Sequence, residues 1–268
     1  MRLSHVLACV WVAAGGWLPS PHAWAAPAAQ TLVAGAEDDA GPWSYADGTG
    51  YVNDIVRAAF ESVGWSVQFE TMPYARCKAL LLTGQLAACF STSRTAELAP
   101  RLLFSRAPVF RAQNLLLARA GSPLAGCKPA AWRSAPRIGT VRSYEYIAAV
   151  DRLFDSGAAE REVADSEVSN LRKVKAGHLD AAVVNVDSVK RIEYVIGLAQ
   201  VDAGSLKTVC NFGSEPAYVA FSPLHPQGAA ARAAFDRGHA LLQRNGRIAT
   251  LQQLWRRRAL ESARAKRH

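Results

Sequence analysis

The sequence LLLTGQLAACF at Leu80–Phe90 recurs in outline as VKAGHLDAAVV at Val174–Val184. Gly84 matches Gly177, and in each copy a leucine follows the glycine by two residues and an alanine by four. The pattern predicts an apolar helix that ends at the glycine and a buried strand that begins two or three residues later. Because the pattern occurs twice, it predicts two similar α/β lobes, and the space between them is the first place to look for a ligand.

The first 25 residues have the composition of a secretory signal. Arg2 is the only charged residue among them, an apolar run covers Val6–Leu18, and the small-x-small sequence Ala23-Trp24-Ala25 follows. We therefore predict a signal peptide over residues 1–25, cleaved after Ala25, and an exported mature chain. A retained membrane anchor is the alternative, but the apolar run is shorter than the ~20 residues that a span requires.

Charge and length narrow the classes of function. The chain has 268 residues and a formal net charge of +9, with Lys and Arg dispersed except in the tail at Arg256–Arg258 and Arg264–His268. Dispersed basic residues on an exported chain do not predict a nucleic-acid partner, and we interpret the tail as the solvated end of a helix. The length allows one large domain or two small ones.

Four cysteines lie outside the signal segment: Cys77, Cys89, Cys127 and Cys210. An even number in an oxidising compartment predicts two disulfides, with three possible connectivities. Assigning cysteines to lobes favours Cys77–Cys89 and Cys127–Cys210, because each pair then stays within one lobe. Buried free thiols are the alternative, and no spacing typical of a zinc site occurs.

Apolar periodicity predicts strands and helices in alternation. The predicted strands are Thr31–Ala36, Ser66–Glu70, Leu86–Phe90, part of Phe104–Arg119, Arg137–Thr140, Glu162–Ala164, Ala181–Val184, Leu206–Phe212 and Ala217–Phe221. The predicted helices are Tyr51–Val63, Tyr74–Thr83, Ser143–Phe154, Glu167–Ala176, Val186–Ile196, and about 229–244 and 246–258. This α/β order predicts mainly parallel sheets flanked by helices, with crossovers near residues 120–123 and 213–214.

Polar side chains follow the two repeated strands. Ser91–Arg94 come directly after the first strand, and Asn185 follows the second. Thr92 and Asn185 are equivalent, each eight residues after its glycine. Because ligands of open α/β sheets bind beyond the carboxyl ends of the strands, these residues are expected to line the space between the lobes.

The order of these elements resembles the periplasmic solute-binding proteins of the polar amino-acid uptake type, bacterial extracellular solute-binding protein family 3. The resemblance covers about Thr31 to Arg256 and is carried by Gly41–Tyr45, Met72–Arg76, Ser93–Glu97, Leu103–Ser105, Ile138–Tyr144 and Gly177–Ala181. It implies a two-lobed, type II-like binding-protein fold with two crossovers. Lobe one would comprise residues 26–118 and the return segment 214–268, and lobe two residues 119–213.

The resemblance also implies a secreted, non-catalytic solute-binding protein of the periplasm, without cofactor or metal. A small polar or anionic ligand would bind between the lobes, and hinge closure would present the closed monomer to an ABC transporter permease in the membrane or to a sensor protein. An enzyme is the other alternative, since some relatives are dehydratases that act on cyclic acids. Such chemistry needs an acid/base group, for which Glu37, Asp38, Asp39 and Glu145 are the available carboxylates.

This chain departs from the relatives that bind α-amino acids at both anchor positions, and also at Ala40, where those relatives have an aromatic residue. In those relatives an arginine holds the α-carboxylate and an aspartate holds the α-amino group, whereas this chain has Leu98 and Asn185. Leucine cannot pair with an anion, and a neutral amide loses the charge-assisted bond, which is about twice as strong as a neutral one. A plain α-amino acid is therefore not the expected ligand.

Ten residues are the predicted ligand contacts. They are Trp43, Tyr74, Arg76, Ser91, Ser93, Arg94, Arg142, Ser143, Tyr144 and Asn185. Trp43 would stack on the ligand, and Arg142-Ser143-Tyr144 would form an anion site where a strand turns into a helix. The alternatives are loop packing for Trp43, ordinary surface pairs for the arginines and helix capping for Asn185. Three arginines near one cleft favour an anionic or strongly polar ligand.

Overall fold

The computed structural model describes residues 30–265. The predicted signal peptide and its cleavage site lie outside the described residues, as do the last three residues of the basic tail. No helix within residues 30–265 combines the length and the apolarity that crossing a bilayer requires.

The described chain alternates strands and helices, which confirms the predicted α/β class. The strands are β1 (Gln30–Glu37), β2 (Trp65–Met72), β3 (Ala88–Ser93), β4 (Leu103–Phe104), β5 (Phe110–Arg119), β6 (Arg137–Val141), β7 (Glu160–Ala164), β8 (Ala181–Val186) and β9 (Leu206–Phe221). The helices are α1 (Tyr51–Glu61), α2 (Tyr74–Leu82), α3 (Ala148–Asp155), α4 (Glu167–Ala176), α5 (Ile192–Ala199), α6 (Gly228–Arg244) and α7 (Arg247–Ala265).

Two parallel groups of strands are joined by an antiparallel pair. The sheet order is β2-β1-β3-β9-β5-β8-β6-β7, with β4 beside β9. Strand β1 runs parallel to β2 and β3, and β6 runs parallel to β7 and β8. Strands β5 and β9 are antiparallel and connect the two groups. The arrangement confirms a mainly parallel sheet in each lobe, while the lobe limits at 118/119 and 213/214 stay predictions because β5 and β9 run on without a break.

The repeated pattern forms the same structure in both copies. Gly84 and Gly177 both have a left-handed backbone, with φ of +76° and +81°. After each glycine, the next backbone N–H bonds back to the helix, from Gln85 to the carbonyl of Leu80 and from His178 to that of Lys173. A side chain strains this conformation, so glycine ends both helices. Strands β3 and β8 then take equivalent places beside β1 and β6.

Two predicted helices begin later than expected. The helix predicted from Ser143 begins at Ala148, and the helix predicted from Val186 begins at Ile192. Ser143 has a left-handed φ of 61°, which no helix accommodates. In the second case the Asp187 carboxylate accepts the N–H groups of Val189 and Lys190 at 2.7 and 2.6 Å, which closes a turn instead of a helix. Both corrections replace a helix start by a loop at the cleft.

The two strands predicted at Leu206–Phe212 and Ala217–Phe221 are the single strand β9. Gly213 and Ser214, predicted to break it, lie inside β9: Gly213 has a positive φ of 110°, and Ser214 pairs with Gln113 of β5. The pairing register shifts between Gln113 and Leu115. A register shift of this kind absorbs extra residues without ending a strand, so the expected crossover loop is a continuous strand.

Both lobes have an apolar core, and the last helix contacts both of them. Trp255 packs in the core with Phe60 and Phe221, under the first parallel group. One turn further on, Ala259 packs with Val195 and Ile196 of α5, on the second group. Helix α7 therefore packs against both lobes, whereas the resemblance implies that it belongs to lobe one alone.

The predicted cysteine pairs both lie at disulfide distance. The Cα atoms of Cys77 and Cys89 are 6.2 Å apart, and those of Cys127 and Cys210 are 5.0 Å apart. Both values lie in the range of about 4.4–6.8 Å that a disulfide requires. The first pair links α2 to β3, and the second ties the loop before β6 to β9.

Removing the Cys127–Cys210 bond is expected to lower stability more than removing Cys77–Cys89. The bonds join cysteines 83 and 12 residues apart, and the longer loop loses more entropy when it is closed. The loop-entropy relation gives about 4–5 kcal/mol against about 3 kcal/mol. Thermal unfolding of the Cys127→Ala/Cys210→Ala variant should show a Tm lowered by about 10–15 °C. An equal Tm for this variant and the oxidised wild type would contradict the presence of a stabilising Cys127–Cys210 bond. Reduced wild type serves as the control.

Candidate functional site

A cavity lies between the two parallel groups, at the carboxyl ends of β1 and β3. Its walls are Glu37, Trp43, Tyr74, Ser91, Ser93, Phe110, Ala112, Tyr144, Glu145, Asn185, Glu215 and Ala217. The cavity has a volume of about 30 Å³, which is room for one or two water molecules. The lobes therefore touch across a nearly closed space at the place where α/β sheets bind ligands.

Six of the ten predicted contacts line this cavity: Trp43, Tyr74, Ser91, Ser93, Tyr144 and Asn185. The sequence leaves open which of the polar residues after β3 face the cleft. In the structure Ser91 has a left-handed φ of 65° and the strand register shifts there. Ser91 and Ser93 face the cavity, whereas Thr92 is buried beside it.

The other four predicted contacts, Arg76, Arg94, Arg142 and Ser143, do not line the cavity. Arg142 is 61% exposed and pairs with Asp165 at 3.1 Å. Arg94 is exposed and lies over the Phe104 ring, 5.6 Å from its centre. Arg76 is exposed on the side of α2 opposite the buried Tyr74 and Cys77. The predicted anion site is therefore not assembled among the described residues, partly because no helix begins at Arg142–Tyr144.

An aromatic wall forms one side of the cavity. Trp43 stacks on Phe110 with ring centres 4.5 Å apart, and its Nε1 donates to Asp187 at 3.1 Å. Tyr74 and Tyr144 meet edge to face at 5.7 Å. Stacked and edge-to-face rings of this kind present flat π surfaces, on which an apolar or cationic group can lie.

Hydrogen bonds cross the cavity from one lobe to the other. Tyr74 donates its hydroxyl to Glu145 at 2.7 Å, and Lys78 pairs with the other oxygen of Glu145 at 2.8 Å. Tyr144 donates to Glu37 at 2.5 Å from the opposite side. A solute larger than one or two water molecules can enter only when these contacts open, which is the requirement for a hinged binding site.

Asn185 belongs to a buried polar network behind the cavity. Its side-chain oxygen accepts from Asn114 Nδ2 at 2.7 Å, and its backbone N–H donates to Glu167 at 2.6 Å. The other oxygen of Glu167 pairs with Lys190, also at 2.6 Å, and the Lys190 ammonium lies 4.1 Å from the centre of the Trp43 ring. The side-chain oxygen of Asn185 is therefore bonded to β5 and caps no helix, and α5 begins after Arg191 without a side-chain cap.

Two carboxyl groups in the cavity have raised pKa values. Burial raises the pKa of Glu37 to about 7, although the hydrogen bond from Tyr144 opposes the rise. Burial also raises the pKa of Glu215 to about 7, and the nearby charge of Glu145 adds to the rise. Among the side chains of residues 30–262, no Lys, Arg or His nitrogen lies within 4.0 Å of either carboxylate.

Glu215 is the acidic residue of the cavity that the sequence analysis missed. Strand β9 carries it past the cavity, opposite Ala112 of β5. The predicted break at Gly213-Ser214 placed Glu215 in a loop between two strands, where a charged side chain is ordinary. The sequence did contain a signal for this residue. Glu215 is an acidic residue in the predicted second crossover, and both crossovers pass beneath the ligand space.

Replacing Glu37 by glutamine is expected to remove a pH-dependent loss of stability. The pKa of this carboxyl is about 7 in the folded state against 4.5 for the free group, so folding takes up a proton between these values. The stabilisation is complete below pH 4.5 and is lost as the pH rises through 7. The loss amounts to at most about 3 kcal/mol, at 1.36 kcal/mol per pH unit.

Urea unfolding at pH 5 and pH 8 measures this effect. Wild type should lose stability between the two values, and Glu37→Gln should lose less by up to the stated amount. Glu70→Gln is the matched control, because Glu70 is exposed on β2 and does not line the cavity. Equal losses in Glu37→Gln and wild type would show that Glu37 ionises normally.

Solved structures similar to this chain share its fold. A histidine kinase sensor domain similar to periplasmic binding proteins has 21% identity and a TM-score of 0.72, with 85% of this chain and 96% of that chain covered. An amino-acid ABC transporter substrate-binding protein from Streptococcus pneumoniae, bound to L-arginine, has 16% identity, a TM-score of 0.69 and coverage of 85% and 95%. An ancestral amino acid-binding protein, a precursor of cyclohexadienyl dehydratase, has 16% identity, a TM-score of 0.64 and coverage of 84% and 94%.

These likenesses, together with the sheet order, confirm the two-lobed binding-protein fold. No curated protein sequence matches the chain. The family model of the bacterial extracellular solute-binding proteins, family 3, matches residues 32–258, which is most of the chain. The resemblance inferred from the sequence is thereby confirmed, and the chain belongs to the bacterial extracellular solute-binding proteins, family 3.

Proposed function

We propose that the protein captures a small polar solute between its lobes in the periplasm and delivers it, as a monomer, to a membrane transporter. The observation that carries the proposal is the cavity between the lobes, to which both parallel groups and both crossovers contribute walls. Hydrogen bonds already join the two lobes across the cavity, so the contact between the lobes would also enclose a bound solute. Membership of a family of extracellular solute-binding proteins supports the same function.

The ligand contacts of this proposal are the six predicted residues that line the cavity. Ser91 and Ser93 offer hydroxyl groups from β3, and Trp43 offers the edge of its ring from the loop after β1, because Phe110 and Lys190 cover the ring's two faces. Tyr74, Tyr144 and Asn185 add polar atoms that already have partners in the structure. Solute binding would exchange some of these internal bonds for bonds to the ligand.

The cavity lacks both anchors for a plain α-amino acid. Leu98 stands where relatives have the arginine for the α-carboxylate, and it is 2% exposed in an apolar cluster with Met72 and Phe104. Asn185 is neutral where relatives have the aspartate, and its oxygen is already bonded to Asn114. A solute other than a simple α-amino acid is therefore the better fit.

Delivery to a sensor protein is the variant of this function that the fold supports equally. The similar structures include both a transporter substrate-binding protein and a histidine kinase sensor domain. Both uses depend on the same closed cleft, so solute binding is the shared property that can be tested on this chain.

Catalysis is a second candidate, favoured by one specific observation. The raised pKa values of Glu37 and Glu215, each about 7, suit a general acid or base near neutral pH. One similar structure is a precursor of a dehydratase. Burial beside other carboxylates raises a pKa in a binding site as well, so these values alone do not make the protein an enzyme.

Solute capture predicts a thermal shift that depends on Trp43. A ligand at 100 times its Kd adds about 2.7 kcal/mol, which raises Tm by about 5–10 °C for a protein of this size. Trp43→Ala should weaken the affinity of that ligand at least about 10-fold in calorimetry, because the aromatic wall that Trp43 forms with Phe110 is lost. Trp65→Ala, in the ring cluster with Phe60 away from the cavity, is the control and should bind normally. Equal affinities for Trp43→Ala and wild type would exclude this cavity as the site.

Binding without catalysis predicts that the solute is recovered unchanged. Any compound that raises Tm is incubated with the protein for hours at pH 7, released by denaturation and identified by mass spectrometry. We expect the starting compound in full yield. Conversion that Glu37→Gln abolishes would instead establish the enzyme.

A further inference from the structure

We propose that the solute bound in the cavity is a small organic cation that carries no carboxylate group. The inference rests on the proposed function, because it uses the same cavity and names the chemical class of its ligand. The ligand's charge is then opposite in sign to that of the anionic ligand that the sequence alone favours.

Three glutamates reach the cavity from three different parts of the fold. Glu37 ends β1 in the first parallel group, Glu145 follows β6 in the second, and Glu215 lies on the crossover strand β9. Among the lining residues that the structure describes, none is a lysine, arginine or histidine. A bound carboxylate would meet like charges on every side, whereas an ammonium or guanidinium group would meet opposite ones.

The cations near the cavity are already committed to other partners. Lys78 pairs with Glu145 at 2.8 Å and also donates to the carbonyl of Ser143. Lys190 is buried, pairs with Glu167 and lies over Trp43. Among the side chains of residues 30–262, Glu37 and Glu215 have no such partner, so two carboxyl groups of the cavity are left for a cationic ligand to pair with.

The aromatic wall suits the same class of ligand. Lys190 already lies 4.1 Å from the centre of the Trp43 ring, so this ring binds a cation on one side within the protein. Phe110, stacked on Trp43, and Tyr144 also face the cavity. Aromatic faces combined with carboxylates are the usual means of holding organic ammonium groups.

Binding of a cation should be linked to the release of protons. The groups around Glu37 are Tyr144, Lys190, Glu167 and Asp38, and those around Glu215 are Glu145, Asp151, Ser93 and Asn114. In these surroundings the pKa of each glutamate is about 7, so near neutral pH each is partly protonated. A cation favours the ionised forms, so its affinity should rise as the pH rises from 6 to 8.

Matched pairs of compounds test the inference. Cadaverine, putrescine and agmatine are compared with lysine, ornithine and arginine, which differ from them only by the α-carboxylate. Calorimetry at pH 8 should give at least one amine a Kd 10-fold or more below that of its amino acid. Succinate and phosphate complete the panel as anions and should not bind.

Variants then test whether the preference for the amine depends on the carboxylates of Glu37 and Glu215. Glu215→Gln and Glu37→Gln should each weaken binding of the best amine at least 10-fold, and the double variant should lose the rise in affinity between pH 6 and pH 8. Glu70→Gln should bind as the wild type does. Circular dichroism and Tm establish that each variant is folded before its affinity is compared.

The outcomes separate this inference from the proposed function. Equal or tighter binding of the amino acid in every pair, or binding of succinate or phosphate alone, overturns the cation assignment and leaves solute capture intact. Unchanged affinity in Glu215→Gln and Glu37→Gln overturns it as well. If no compound of the panel binds, both the cation assignment and the proposed capture of a small polar solute at this cavity fail.

Discussion

The antiparallel pairing of β5 with β9 is the constraint on which the rest of the structure depends. These strands run between the two parallel groups and pair from Phe110 to Arg119. Because both are hydrogen-bonded to each other and to a neighbour in each group, the lobes share one continuous sheet. The ladder sets where β3 and β8 end, and therefore which side chains meet across the cavity. It also carries Glu215 into the space between the lobes, where a flexible linker would leave that carboxylate in solvent.

Much of the architecture follows from patterns a single sequence contains. The repeated helix–glycine–strand pattern predicts two equivalent units, and the left-handed glycines at 84 and 177 occur where the pattern places them. The strand ends at Ser91 and Asn185 face the cavity as expected, because the carboxyl ends of parallel strands share one edge of a sheet. Such local rules require only near neighbours along the chain.

The errors concern side chains whose direction depends on tertiary contacts. Arg142 follows a strand as predicted, but the left-handed backbone of Ser143 replaces the helix start that would have held an anion. Arg76 precedes the buried Cys77 on α2, and the rotation of the helix between these two residues turns the Arg76 side chain to solvent. Glu215 was overlooked because a register shift let β9 continue past Gly213. Periodicity cannot separate a bulged strand from two strands, and neither can it reveal which of two lobes a charge will face.

The burial of Leu98 bears on how the ligand specificity of this chain could change over evolutionary time. Leu98 packs with Met72 and Phe104 in an apolar cluster. Restoring an arginine there would place a guanidinium group among apolar side chains, and an uncompensated buried charge costs several kcal/mol. A return to the amino-acid anchor therefore requires several simultaneous core substitutions rather than one. A single substitution at position 98 would instead lower the stability of the fold before it could provide a site for a carboxylate.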